Sequence, residues 1–215
     1  MTHNMQYKSF VFNFLEENTY ILWDQTGQAA IIDPGMYTAQ EEQILDAFVK
    51  ENNLDVKLLL NTHLHFDHVF GNPYVCKRYG IAPWANGGDK VWLEDIKKML
   101  GKMGFRLETE QPAIAHMLQD GEIVRFGNTE LKCIFVPGHS AGCMAFYCEQ
   151  EQLLFSGDIL FRGSVGRTDF PDSSHSLQVE GIHNKLFVLP EQTTVCPGHG
   201  PSTTIGYELD NNCIA

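Results

Sequence analysis

Four times in this chain an apolar run stops at a side chain that favours metals. The runs are "VKLLLNTHLHFDH", "CIFVPGHS", "LLFSGD" and "TVCPGHG". Short apolar runs bounded by turn residues read as strands, so each histidine or aspartate is expected just past a strand end. In the last three a glycine stands directly before the ligand type, where it permits a tight turn. Any one fragment is a weak signal. Four in order constrain the chain to a fold that brings four strand ends to one edge.

The rest of the sequence supplies the frame. "SFVFNF", "NTYILWD" and "QAAIIDPG" read as three strands in series, and residues 39 to 52 as a helix with Ile44, Leu45, Phe48 and Val49 on one stripe. "VKLLLNTH" has the continuous apolar character of a strand buried on both faces. A helix follows it, with Asn72 as N-cap, Pro73 in the first turn and Gly80 as the stop. Residues 89 to 104 predict another, with Trp92, Ile96, Met99, Leu100 and Met103 on one side. It is expected as core or dimer surface, with a substrate lid as the alternative. "EIVRF", "TELKCIFVPG", "MAFYCEQ" and "QLLFSGD" are strands, residues 173 to 187 a capped helix, and "TTVCPGHG" the last strand. Strands followed by helices in each half predict two sheets packed face to face with helices outside. Residues 1–215 are read as one domain.

Charge narrows the partners. The formal net charge is −12, from 27 acidic and 15 basic residues. That balance repels nucleic acid and anionic membrane surfaces but not a small anion drawn to a bound metal. No stretch approaches the roughly 20 apolar residues of a membrane span, and the start lacks the pattern of a secretory signal. The expected setting is the cytoplasm, the expected partner a small molecule, and self-association is left open. The six cysteines show no C-x-x-C pairing and are expected as small hydrophobes. His3, His116, His175 and His183 are expected to face solvent or to be held by a hydrogen bond.

"THLHFDH" carries His63, His65, Asp67 and His68. On extended chain His63 and His65 share a face, because side chains alternate. Asp67 and His68 come after the strand and can turn across the opening, so two adjacent binding positions follow more naturally than one. One segment cannot close two sites. His139, Asp158 and His199 complete a set of five imidazoles and two carboxylates. Such nitrogen and oxygen donors suit zinc, iron or manganese, and Asp158 is placed to bridge two ions. Two zinc ions with Asp67, Asp158 and one hydroxide sum to about +1, which attracts an anionic substrate.

This set, His63-x-His65-x-Asp67-His68 followed by His139, Asp158 and His199, resembles the metallo-β-lactamase superfamily. The resemblance runs from "IIDPG" to "PGHGPSTTIG". Within it, "GDILFRGSVGRTDF" and "PGHGPSTT" are similar to compact type II glyoxalase-like (hydroxyacylglutathione hydrolase-like) hydrolases. It implies an α+β, four-layer αβ/βα sandwich of two mixed β-sheets with helices on both outer faces. Carried over, His63, His65 and His139 hold one metal, Asp67, His68 and His199 the second, and Asp158 bridges them. The resemblance also implies a supporting role for Asp33 behind the ligands, and Asp169 is expected in such a role as well. Arg167 would anchor a substrate carboxylate or pair with Asp169 to brace its loop.

A site of two divalent metals, zinc first among them, implies hydrolysis. Bound metal lowers the pKa of water from about 15.7 toward about 7 and polarises a carbonyl. Asp67 beside the nucleophile would orient it and accept its proton. A thioester such as S-lactoylglutathione is the leading substrate. β-Lactams are disfavoured because true lactamases usually place cysteine or serine where this chain has Asp158. Two departures weaken the case for glutathione. The large glyoxalases carry a helical C-terminal domain, whereas only 16 residues follow His199, and Asp169 stands where they tend to have tyrosine. The rival reading is an iron persulfide dioxygenase, which shares "GRTDF" and uses one iron on the equivalents of His63, His139 and Asp158. A metal-binding protein without turnover is the third reading.

Overall fold

A computed structural model describes residues 5–102, 104 and 110–215, apart from the side chains of Asp95 and Met99. His3 and Met103 lie outside the described residues. Three strands, β1 (Gln6–Phe12), β2 (Glu17–Trp23) and β3 (Gln28–Ile32), open the chain as an antiparallel meander. Helix α1 (Ala39–Glu51) starts at a capping box between Thr38 and Glu41, then crosses back to β4 (Asp55–Leu60), parallel to β3. A short α2 (Phe66–Val69), α3 (Asn72–Tyr79), β5 (Pro83–Ala85), α4 (Lys90–Lys102) and β6 (His116–Met117) complete the first half.

The second half is a meander of β7 (Ile123–Phe126), β8 (Thr129–Phe135), β9 (Met144–Cys148) and β10 (Leu153–Gly157). A small hairpin follows, β11 (Leu160–Phe161) with β12 (Ser164–Val165). Helix α5 (His175–Gly181) runs into a wide turn over Ile182–Leu186, before β13 (Thr194–Pro197), β14 (Thr203–Thr204) and α6 (Ile205–Asn211). One sheet has the order β1-β2-β3-β4-β5-β6 and the other β14-β13-β10-β9-β8-β7. Each mixes parallel and antiparallel pairs.

Alternation along the strands builds the layers. Ala30, Ile32, Leu58 and Leu60 face inward against Cys133, Phe146, Phe155 and Cys196 of the second sheet. Their neighbours Ala29, Ile31, Val56 and Leu59 face outward under Leu45 and Val49 of α1 and Val75 of α3. Across the molecule Ala145, Leu154 and Val195 pack outward against Ile182, Leu186 and Ile205. Strands buried on both faces explain the unbroken runs "AAII" and "LLL". The result is the expected four-layer αβ/βα sandwich.

Three local expectations change. The first ladder stops at Phe12, because Asn13 enters the left-handed region at φ 51°. Ile44 remains exposed, since the buried stripe of α1 is narrower than expected and falls on Leu45 and Val49, with Phe48 packed beside them. Asn72 is not a cap: Gly71 holds that position, and the Asn72 amide donates at 2.9 Å to the Asn61 side chain. A buried asparagine is better satisfied by that partner than by its own helix. Gly80 does end α3, at φ 69°. Cys133, Cys143, Cys148 and Cys196 are buried, Cys76 is half-buried and Cys213 exposed. His116, His175 and His183 face solvent.

Candidate metal centre

Strand register decides which residues meet. Ile32 pairs with Leu60 in the parallel ladder of β3 and β4, so Asp33 and Asn61 leave the sheet side by side. In the other sheet Gly157 pairs with Pro197, so Asp158 and the Gly198-His199 turn emerge together. Backbone bonds then join the sheets at this edge, from Met144 N–H to Thr62 O at 2.8 Å and from Asn18 N–H to Gly198 O at 2.7 Å. His139 arrives after β8. All seven predicted ligands therefore stand at one rim.

Two glycines make this closeness achievable. A Cβ on Gly198 would lie 2.3 Å from Asp158 Oδ1 and 2.7 Å from His68 Cε1, and one on Gly157 (φ 50°) would lie 2.3 Å from Thr62 Oγ1. Neither position can take a side chain without moving the cluster.

Donor atoms of His63, His65 and His139 lie within 4.8 Å of one another, and so do those of Asp67, His68 and His199. The Asp158 carboxylate stands between the groups. Its Oδ1 is 3.4 Å from His68 Nε2, and its Oδ2 is 3.5 Å from His139 Nε2 and 3.7 Å from His199 Nε2. Asp67 Oδ2 is 3.2 Å from His199 Nε2 and 3.6 Å from His68 Nε2. The extended segment after β4 keeps the rings of His63 and His65 4.6 Å apart, edge to face.

Hydrogen bonds behind the rings fix which nitrogen faces inward. His139 donates through Nδ1 to Arg167 O at 2.8 Å, and His199 through Nδ1 to Leu15 O at 3.1 Å. His68 donates through Nδ1 to Asp33 Oδ2 at 3.0 Å. Thr62 Oγ1 gives its only proton to Asp33 Oδ2 at 2.5 Å, so the His63 Nδ1 contact at 3.0 Å is a donation from the ring. Asp33 thus sets two tautomers, one directly and one through Thr62. It does so from a left-handed backbone, φ 48°, immediately before a proline, a strained conformation that its bonds to Thr62 hold in place. His65 differs, turning Nδ1 to 2.9 Å from His139 Nε2. The buried Nε2 atoms of His63 and His65 have no hydrogen-bond partner. Unsatisfied buried lone pairs are costly, and a divalent cation takes them up.

Burial, then the surrounding imidazoles, hold His63 well below its ordinary pKa, and burial takes His65 down to about 3. At His68 burial again disfavours the proton, but Asp158 and Asp67 outweigh it and the pKa is raised well above the usual value. Burial is likewise outweighed at His199, where the bond to Asp67 and the charge of Asp158 raise the pKa. Burial would raise Asp67 and Asp158, yet His68 and its neighbours keep both below the usual carboxylate range.

Arg167 and Asp169 are exposed and paired with each other, at 2.5 Å through both Nε and Nη2. Asp169, expected from the sequence behind the ligands, instead faces outward, and its pairing with Arg167 is the loop brace that the sequence offered as one alternative. Its loop turns it outward, and the contact with His139 comes from the Arg167 carbonyl instead. Arg167 stacks on Phe170 at 4.9 Å and lines the cavity. That cavity, about 510 Å³, opens over the cluster between Phe66, Trp92, Phe161 and Phe170.

Two buried acids escaped the sequence reading. Asp89 accepts from Leu64 N–H at 3.2 Å, Ser140 Oγ at 2.7 Å and Gly142 N–H at 2.6 Å, tying the His63–His65 segment to the His139 loop. "NGGD" was the only hint. Glu17 lies 3.9 Å from His68 Nδ1, and burial raises its pKa well above the carboxylate range. Nothing in "LEENTY" distinguishes it from a surface acid. No helix among the described residues is long and apolar enough to cross a membrane.

Known proteins are similar to this chain in sequence and in fold. Hydroxyacylglutathione hydrolase GloC of Haemophilus influenzae is 32% identical over 204 residues, covering 92% of this chain and 92% of its own. The crystal structure of BLEG-1 B3 metallo-beta-lactamase superposes with a TM-score of 0.88 at 35% identity, over 97% of this chain and 98% of that one. TTHA1623 in a di-iron-bound form gives 0.85 at 32% identity, over 97% of this chain and all (100%) of that one. The model of the Metallo-beta-lactamase superfamily matches residues 13–199. With that match spanning all four ligand-bearing segments, and the fold built around them, the chain belongs to the metallo-beta-lactamase superfamily.

Proposed function

We propose that the protein is a binuclear metal-dependent hydrolase acting on thioesters of small anionic acids or thiols. The observation that carries this reading is the Asp158 carboxylate facing both donor groups. His63, His65 and His139 would hold one ion, Asp67, His68 and His199 the other, and Asp158 both. When bound, such ions supply Lewis acidity and make water a stronger acid. Zinc is the expected metal, and the di-iron form of TTHA1623 makes iron the alternative to measure against.

The chain's own residues supply the rest. Asp67, ionised beside His199, orients the attacking water and takes its proton. Phe66, Trp92, Phe161 and Phe170 exclude bulk water from the reacting carbonyl. Arg167 at the rim offers a cation to a substrate carboxylate in exchange for Asp169.

A one-iron dioxygenase would use His63, His139 and Asp158 and leave Asp67, His68 and His199 converging for no purpose. Elemental analysis of protein purified without added metal and without chelator tests the choice. About two metal ions per chain, with turnover of a thioester panel, supports the hydrolase. One iron per chain with oxygen uptake on a persulfide overturns it. Because BLEG-1 is named a β-lactamase, a β-lactam belongs in the panel. Faster hydrolysis of it than of any thioester refutes the substrate class.

A further inference from the structure

Between β1 and β2 the chain reverses over residues 13–16, and both ends of that turn are left-handed, Asn13 at φ 51° and Glu16 at φ 57°. Asparagine is among the few side chains that take this conformation readily. The turn reaches the rim of the metal centre. Leu15 lines the cavity there, and its carbonyl accepts from His199 Nδ1 at 3.1 Å.

Every polar atom of the Asn13 side chain is committed to backbone. Its amide donates to Gly35 O at 2.9 Å and to Asp67 O at 3.1 Å, while Oδ1 accepts from Leu15 N–H at 2.9 Å. The Asn13 N–H itself donates at 2.7 Å to Glu41 Oε1, the acid of the capping box that opens α1. Aspartate would keep the acceptor but set its charge against two carbonyls, and glycine would keep the backbone without any of the three bonds. The packing leaves no slack: a Cβ on Gly35 would lie 2.7 Å from Asp67 O and 2.8 Å from Asn13 Nδ2. Asn18 pins the backbone on either side of His199, through Pro197 O at 3.0 Å and Gly200 O at 2.9 Å. The back of the His199 ring is held by Leu15 O, and so by the turn that Asn13 closes.

We propose that Asn13 is a positioning residue for the second ion, setting Asp67 and His199, which follow strands of opposite sheets, against each other. One arm of its side chain holds Asp67 at the backbone, in the first turn of α2. The other holds Leu15, whose carbonyl orients the His199 ring. Asn13 touches no reacting atom and acts through those two backbone groups. Asp89 ties together the segments that carry His63, His65 and His139, and Asn13 does the same for Asp67 and His199. The inference rests on the two-ion reading of the centre.

The test uses the full zinc-loaded chain, stripped with graded chelator so that the affinity of each ion is read without turnover. Asn13→Gly keeps a residue suited to φ 51° and removes the three side-chain bonds. It should weaken one ion about 10–100-fold and leave the other within about twofold. The weakened ion should be the one that His199→Gln already lacks. Adding Asn13→Gly to His199→Gln should therefore leave the remaining ion as tightly held as before. A control, Asn53→Gly, makes the same change at another left-handed asparagine, φ 52°, and should leave both ions unchanged. Equal weakening of both ions by Asn13→Gly overturns the proposal. So does any further loss of the ion that His199→Gln retains.

Imidazole protons separate this idea from the two-ion reading. The Nδ1 proton of His199 is held by Leu15 O and that of His139 by Arg167 O. In proton NMR of the full chain, Asn13→Gly should speed exchange of the His199 proton with water about tenfold or more and leave that of His139 unchanged. If the wild type holds only one ion per chain, the two-ion reading fails, while selective release of the His199 proton still upholds Asn13 as the residue that positions this ring. A His199 proton equally protected in wild type and Asn13→Gly overturns it.

Discussion

Four of the five imidazoles of the cluster have their tautomer fixed by a group behind the ring, so substitutions there should matter nearly as much as those of the ligand. His63→Ala should lower bound metal from about two ions to about one per chain and cut turnover by about a thousandfold or more, with the circular dichroism of the fold retained. Near-normal activity in that variant refutes the assignment. Asp89 touches none of the seven ligands, yet three donors converge on it across two segments. Asp89→Ala should cost about 3 kcal/mol in urea unfolding, because buried donors lose a charged acceptor. It should also weaken metal binding at His63, His65 and His139 more than at the second group. Equal weakening of both would mean that Asp89 serves only the fold. The ligands were legible because their chemistry is in their side chains. The carbonyls of Arg167 and Leu15, which orient His139 and His199, were not, because every residue has a carbonyl and only folding chooses which one is near.

Among the elements, α4 carries the most weight. Its core stripe seats Ile96 and Leu100 beside Leu64 and Val69, directly under the ligand-bearing loop. Leu100 is fully buried, so Leu100→Ala should destabilise the protein by about 2–5 kcal/mol. If α4 positions the Trp92 wall, the same variant raises KM more than it lowers kcat. A stability loss with unchanged KM would separate the helix from substrate binding. The sequence predicted this helix from its apolar spacing and left open whether it served as core, dimer surface or lid. Periodicity reports that a face is buried, not what buries it. Asn72 shows the opposite error: a good local cap signal lost to a buried partner across the loop.

For the molecule as a whole, metal and fold should be coupled. Chelation leaves the Nε2 lone pairs of His63 and His65 buried without partners, so the melting temperature should fall by about 10 °C and recover with zinc or iron. A melting curve indifferent to chelator would argue against a bound ion. Acidification should be uneven. In the metal-free protein His68 and His199 have raised pKa values, so an ion entering their group must displace protons over a wide pH range, and its affinity climbs as pH rises. His63 and His65 are lowered and offer lone pairs to a more acid limit. Dialysis at stepped pH should therefore strip the Asp67–His68–His199 group first, leaving about one ion per chain. Loss of both in one step, or of the other group first, would contradict this.

By itself the sequence determined the seven candidate ligands, their order, and the strands that deliver them. Burial and ligand chemistry are written in residue type and short-range spacing. The family resemblance implied how those ligands group, and only the tertiary structure decided that they meet. Two registers, Ile32 with Leu60 and Gly157 with Pro197, bring four distant strand ends within a few atoms of each other. The buried acids Glu17 and Asp89 come from the same source. They depend on contacts between segments far apart in the chain, and no local pattern records such contacts.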